Sequence, residues 1–155
     1  MNILILCTGN SARSIIGEAL VSAQDGFTGF SAGSTPKGAP HPMALKVLES
    51  NGHDVSGFRS KSWDEYGGDD APQMDIIITV CDNAAGESCP YWPGHPVVAH
   101  WGLPDPANVE EMNFQRAAFD DTYSSLSARI KKLVALPLAS MDEAERKAAV
   151  QAVHG

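Results

Sequence analysis

The chain has 155 residues, a length that suits one domain spanning 1–155 and leaves little room for two. Its 19 Asp and Glu against 11 Lys and Arg give a formal charge of −8, which argues against the basic face of a nucleic-acid binder and against attraction to anionic lipid. With 43% apolar residues a packed core is expected, and the apolar runs fall far short of the roughly 20 residues that cross a bilayer.

Ile3 to Leu6 is a continuously apolar run of the buried-strand type and ends at Cys7-Thr8-Gly9-Asn10. Ser11 to Ala23 carries Ile15, Ile16, Ala19, Leu20 and Ala23 at helical spacing, with Ser11 or Ser14 as the expected cap. Gly29 to Gly33 reads as a short second strand, followed by a turn-rich loop from Ser34 to Pro42. A second helix is expected from about Pro42 to Ser50, with Ala44, Leu45, Val47 and Leu48 inward and an exit at Asn51-Gly52. Asp75 to Val80 is the clearest buried strand, and Val97 to His100 a shorter one. From Val109 to about Leu136 the pattern predicts a long helix with Phe114, Ala117, Ala118, Leu126, Ile130, Leu133 and Val134 on its apolar stripe. Ser140 is then expected to cap a last helix from Met141 to Val150. Strands that are apolar throughout, alternating with helices, indicate an α/β fold with a parallel sheet covered on both faces. Sites in such sheets lie beyond the strand C-termini.

The N-terminal run enters the first strand with no basic leader and no cleavage pattern, so the cytoplasm is the expected address. Three cysteines are too few, and odd in number, for a disulfide scaffold. They are therefore buried hydrophobes or reactive thiols. Cys7 opens Cys7-Thr8-Gly9-Asn10-Ser11-Ala12-Arg13-Ser14, a Cys-x5-Arg spacing in a strand-to-helix loop. Gly9 is read here as permitting a tight backbone path, so that N–H groups from Thr8 to Arg13 turn inward as a nest and the helix start adds its unpaired N–H groups. Such a nest cradles a tetrahedral oxyanion through Thr8, Gly9, Asn10, Ser11, Ala12, Arg13 and Ser14. Arg13 adds a planar two-pronged donor, and Cys7 at the base is the nucleophile.

A departing oxygen needs a proton, and Asp105, on a Pro-stiffened loop after the fourth strand, is the candidate acid. Cys81 ends the third strand, and seven small or polar residues separate it from Cys89. Two thiols on a segment suited to movement suggest a relay in which Cys81 attacks the adduct on Cys7 and Cys89 attacks the resulting disulfide. Their spacing is wrong for a zinc pair, and no metal is expected. His41, His95 and His100 form no ligand pattern and are read as loop and packing residues. Trp63, Trp92 and Trp101 are read as packing residues at the sheet ends.

These motifs, with Ser31-Ala32-Gly33, Val80-Cys81, Cys89-Pro90, His100-Trp101-Gly102 and Asp105-Pro106-Ala107, resemble the low-molecular-weight protein tyrosine phosphatase superfamily, and within it the thioredoxin-coupled arsenate reductases. The resemblance implies a four-stranded parallel sheet in the order 2-1-3-4. It further implies reduction of arsenate to arsenite through a Cys7 adduct, with phosphate or sulfate as competing oxyanions. No tightly bound cofactor is implied; an external thiol reductant is, either thioredoxin or glutaredoxin with glutathione. Superfamily phosphatases usually follow the Asp-Pro pair with aromatic residues that flank a phosphotyrosine ring, whereas Ala107 and Asn108 stand here. Where many relatives hold a second Cys in the anion loop, this chain has Ala12. Seven residues between Cys81 and Cys89, where some relatives have six, keep the glutathione alternative open. Some relatives hold potassium with residues matching Asn10, Glu18 and Ser31, but their further carboxylate aligns with Lys61, whose ammonium would take the ion's place. Two other readings stand beside the reductase: a phosphate-monoester hydrolase using Cys7, Arg13 and Asp105, and a redox-regulated protein that senses phosphate.

Overall fold

The computed structural model describes residues 1–80 and 96–153. Four strands, β1 (Asn2–Cys7), β2 (Thr28–Gly33), β3 (Ile76–Thr79) and β4 (Val97–His100), form one sheet in the order β2-β1-β3-β4. Every pairing is parallel, with Leu4 opposite Phe30 and Ile77, and Ile77 opposite Val98. All strand C-termini therefore open on one edge. The α-helices are α1 (Arg13–Ser22), α2 (Pro42–Ser50), α3 (Met112–Val134) and α4 (Glu143–Ala152). Among the described residues, no helix is long and apolar enough to cross a membrane.

Alternation along β1 divides its side chains between two clusters. Ile3 and Ile5 join the larger core with the apolar faces of all four α-helices, while Leu4 and Leu6 pack with Ala32, Trp63, Met74 and Ile77. On that second face a 3-10 turn, Trp63–Tyr66, lays Trp63 and Tyr66 against the sheet. Both faces are covered by helical elements, which is why the central strands carry no exposed alternation. Both Trp63 and Trp101 are buried, and the Trp101 indole N–H donates to the Val150 carbonyl at 2.9 Å. Trp92 and His95 lie outside the described residues.

The structure bears out Leu126, Ile130 and Leu133 on the inner face of the long helix, and corrects the start of that stripe, the inner face of α2 and the start of the last helix. In α3 the inward residues are Phe119, Thr122, Leu126, Ile130 and Leu133, while Phe114 is 65% exposed. Apolar residues at both 114 and 119 made the sequence ambiguous, and packing against α1 and α2 selects Phe119. In α2 Met43 is buried in place of Leu45. The last helix starts two residues later than expected, because Asp142 caps it in a reciprocal box with Glu145, whereas the Ser140 hydroxyl donates to Pro137. His41, expected as a loop residue, caps α2: its Nδ1 accepts from the Met43 N–H at 3.0 Å, and its ring packs on Phe119. At the outer edge of β4 one side chain takes up the backbone of His100. Gln151 accepts from the His100 N–H and donates to the His100 carbonyl, both at 2.8 Å, as a neighbouring strand would.

Candidate active site

Cys7, the last residue of β1, is 3% exposed, and the chain from Thr8 to Ala12 loops over it before α1 begins. Three carbonyls of this loop face outward and are taken by the neighbouring segment. Thr35 N–H donates to Thr8 at 2.9 Å, Lys37 N–H to Gly9 at 3.0 Å and His41 N–H to Ser11 at 2.8 Å. The Ser60 hydroxyl adds a second bond to the Gly9 carbonyl, at 3.1 Å. In a trans peptide the N–H lies opposite the carbonyl, so fixing these oxygens outward turns the N–H groups of Gly9, Asn10 and Ala12 toward the centre.

The expected serine cap is absent. Residue Ala12 occupies the cap position and makes no side-chain hydrogen bond there. The first-turn N–H groups of α1 thus receive no side-chain cap among the described residues and stand at the same centre, with the positive end of the helix behind them. Ser14 does other work. Its hydroxyl lies 2.9 Å from Cys7 Sγ and accepts from Asn10 Nδ2 at 2.8 Å, which leaves its own hydrogen for the sulfur. That polarity aims a hydrogen-bond donor at the sulfur.

Gly9 is not the residue that bends the loop. The left-handed backbone belongs to Asn10, at φ 43°, while Gly9 has no positive φ. Asn10 is fully buried and held from both ends, since its Oδ1 accepts from the Lys61 N–H at 2.9 Å while its Nδ2 binds Ser14. A glycine is required instead at Gly33. A Cβ there would strike the carbonyls of Cys7 and Thr8 and the amide nitrogen of Asn10. The end of β2 thus passes directly behind the loop.

Lys61 is buried, and its Nζ donates to the Arg59 carbonyl at 3.1 Å, Ser31 Oγ at 3.2 Å and Glu18 Oε1 at 3.4 Å. Burial pushes this ammonium below the ordinary lysine range, and the Glu18 carboxylate opposes the shift. Two of the three residues matched to a potassium site, Glu18 and Ser31, are thus already engaged by a cation of the chain. The third, Asn10, spends its oxygen on a backbone N–H. This arrangement does not fit a potassium ion.

Arg13 Nη1 donates to the Leu103 carbonyl at 2.9 Å, and its Nη2 lies 3.5 Å from Asp105 Oδ2. Its Nε is buried with no partner among the described residues. An unpartnered buried donor is costly, and an anion in the loop would satisfy it. Asp105 uses its two oxygens differently: Oδ1 caps its own turn by accepting from Ala107 N–H at 3.0 Å, and Oδ2 faces Arg13. A cleft of about 670 Å³ opens over these groups, with Cys7 and Arg13 on its floor and Thr35, Lys37, Leu103 and Asn108 around its mouth. Cys81 and Cys89 lie outside the described residues. The part played by the neighbouring segments, through Lys61, Ser60 and Leu103, had no local sequence signal.

A buried thiol under inward-turned backbone N–H groups closed by an arginine thus stands at the C-terminal edge of a four-stranded parallel sheet, an architecture of the low-molecular-weight phosphatase type. The chain belongs to the low molecular weight phosphotyrosine protein phosphatase family, which it matches over residues 2–147. An arsenate reductase of Brevibacillus brevis is 37% identical over 132 residues, covering 84% of this chain and 91% of that protein. Among solved structures, an arsenate reductase from Archaeoglobus fulgidus superposes with a TM-score of 0.66 at 28% identity, over 86% of this chain and 99% of the other. A thioredoxin-dependent arsenate reductase from Corynebacterium glutamicum gives 0.61 at 26% identity, over 86% of this chain and 59% of the other.

Proposed function

We propose that this protein reduces arsenate to arsenite. The observation that carries the reading is the pairing of Cys7 with a convergent donor set, formed by the inward N–H groups and the Arg13 Nε, which has no partner among the described residues. That set matches the shape and charge of a tetrahedral oxyanion. The names of the relatives support arsenate as that oxyanion. So does the mouth of the cleft, where no aromatic ring stands among the described residues to flank a phosphotyrosine.

In this mechanism the Cys7 thiolate attacks arsenic, and one oxygen leaves as water with a proton from Asp105. Cys81 then attacks the Cys7 sulfur. The bonding pair passes to arsenic, arsenite departs, and a Cys7–Cys81 disulfide remains. Cys89 attacks Cys81, which returns Cys7 as a thiolate and leaves a Cys81–Cys89 disulfide for an external dithiol to reduce. The name of the Corynebacterium neighbour supports thioredoxin as that dithiol. Glutaredoxin with glutathione is the competing donor.

Arsenite formation by the purified protein, measured with thioredoxin and separately with glutaredoxin and glutathione, tests the reading. Turnover with thioredoxin is expected, together with loss of that turnover and trapping of a Cys7–Cys81 disulfide in the Cys89→Ser variant. Full turnover by Cys89→Ser with glutathione would replace the three-thiol relay by a glutathione route. Absence of arsenite with either donor, alongside hydrolysis of a phosphate monoester, would favour the phosphatase reading that family membership also permits.

Asp105→Asn keeps an oxygen able to cap the turn at Ala107 and removes the transferable proton. It is expected to slow formation of the Cys7 adduct by about a hundredfold while changing oxyanion affinity only a few-fold. Single-turnover kinetics separate these two effects. Weakened binding with an unchanged chemical step would reduce Asp105 to a turn residue.

A further inference from the structure

We propose that Lys37 is an anion-binding residue of this site, the cation that sets its affinity and its preference for doubly charged oxyanions. The inference rests on the oxyanion reading above and deepens it. Three observations carry it.

Lys37 is held in place by its backbone. It is the middle of the three residues whose N–H groups bind the outward carbonyls of the anion loop, with Thr35 on one side and His41 on the other. The segment 35–41 is therefore fastened along the loop, and its side chains have a fixed point of departure at the rim of the cleft.

The side-chain stem is directed by Gly9. A Cβ built on Gly9 would lie 3.1 Å from Lys37 Cε, 3.2 Å from Cγ and 3.3 Å from Cδ, so three successive carbons of the lysine run across the bare face of the glycine. Because Gly9 has no positive φ, its backbone does not demand glycine; the stem is what fills the space a side chain would occupy. Such packing directs the stem along the loop, and Lys37 lines the cleft with Cys7 and Arg13.

The charge is uncompensated. Arg13 faces Asp105, Lys61 faces Glu18 and Arg59 faces Glu65, whereas Lys37 makes no ion pair or side-chain hydrogen bond among the described residues. With Cys7 as the attacking thiolate and Asp105 holding the proton it gives to the leaving oxygen, the charged lining side chains are two cations and one anion. Without Lys37, Arg13 alone would balance the thiolate, in a chain whose formal charge is already −8. A dianion entering that cleft would meet repulsion from the protein as a whole and from the thiolate it must approach. A cation at the rim offsets this field, draws anions in, and acts more strongly on a double charge than on a single one.

Lys37→Met tests this directly. Methionine keeps an unbranched stem over Gly9 and leaves the backbone N–H bond intact, so folding should be preserved, and thermal unfolding checks that. At low ionic strength the variant is expected to bind inorganic phosphate about three- to tenfold more weakly by calorimetry and to raise the KM for arsenate by a similar factor, with kcat within about twofold. Its affinity should also fall less steeply with added NaCl than that of the wild type, and Lys37→Arg should restore both affinity and salt slope. Wild-type protein that binds neither phosphate nor arsenate would overturn the oxyanion reading itself. A wild type that binds them, with Lys37→Met matching it in affinity and salt slope, would leave that reading intact and reduce Lys37 to a packing residue.

Discussion

Cys7→Ser should abolish arsenate reduction, by at least about a thousandfold, while leaving phosphate affinity within a few-fold of the wild type. A serine hydroxyl is protonated throughout the neutral range and is a far poorer nucleophile than a thiolate. It also cannot be oxidised to a disulfide, so no electrons reach arsenic even if an adduct forms. The cradle is built elsewhere: the outward carbonyls of Thr8, Gly9 and Ser11 and the uncapped start of α1 do not depend on the sulfur. Serine fits the 3% exposed position without crowding. Calorimetry with phosphate beside steady-state assay with arsenate separates the two effects, and turnover within tenfold of wild type would remove Cys7 as the nucleophile.

Arg13→Lys should lower kcat/KM for arsenate by about a hundredfold or more, although the charge is conserved. In the structure the guanidinium divides its work. Nη1 is fixed on the Leu103 carbonyl, Nη2 faces Asp105, and the buried Nε remains for the anion. A lysine ammonium presents one nitrogen on a flexible stem, so it can replace at most one of these roles, and it lacks the planar fork that meets two oxygens together. Part of the loss should fall on binding and the larger part on the chemical step, where charge developing on the oxyanion is held by preorganised donors. The phosphate dissociation constant and single-turnover rates divide the two contributions. Near-wild-type catalysis in this variant would take Arg13 out of the anion site.

The sequence alone determined the parts of this protein that local chain chemistry controls. A strand apolar on both faces, a loop from Cys7 to Ser14 and a helix entered without delay follow one another within about twenty residues, and each leaves a local signal in residue type and apolar spacing. The parallel sheet was legible because strands buried on both faces lose their polar alternation. Its order, 2-1-3-4, came only with the family resemblance. The boundaries of α2 agree with the expected Pro42 to Ser50, since a proline at the start and Asn51-Gly52 at the end are local signals.

Only the tertiary structure decided what the loop leans on. Asn10 takes its left-handed backbone with Lys61, 51 residues away, gripping its side chain, and Arg13 is aimed by a carbonyl 90 residues away. No local pattern encodes such pairs, because they exist only once β1 lies between β2 and β3 and all the strand ends share one edge. The same holds for Gly33, whose missing side chain matters only because the anion loop crosses in front of it. Periodicity likewise gave the C-terminal part of the α3 stripe, Leu126, Ile130 and Leu133, but not where it begins, because Phe114 and Phe119 lie about 140° apart around a helix of 3.6 residues per turn and only one of them can face inward with the rest. Packing against α1 and α2 chose Phe119 and left Phe114 in solvent. Spacing along the chain thus named the nucleophile and its arginine, while the contacts that orient both arise from segments that meet only in the folded sheet.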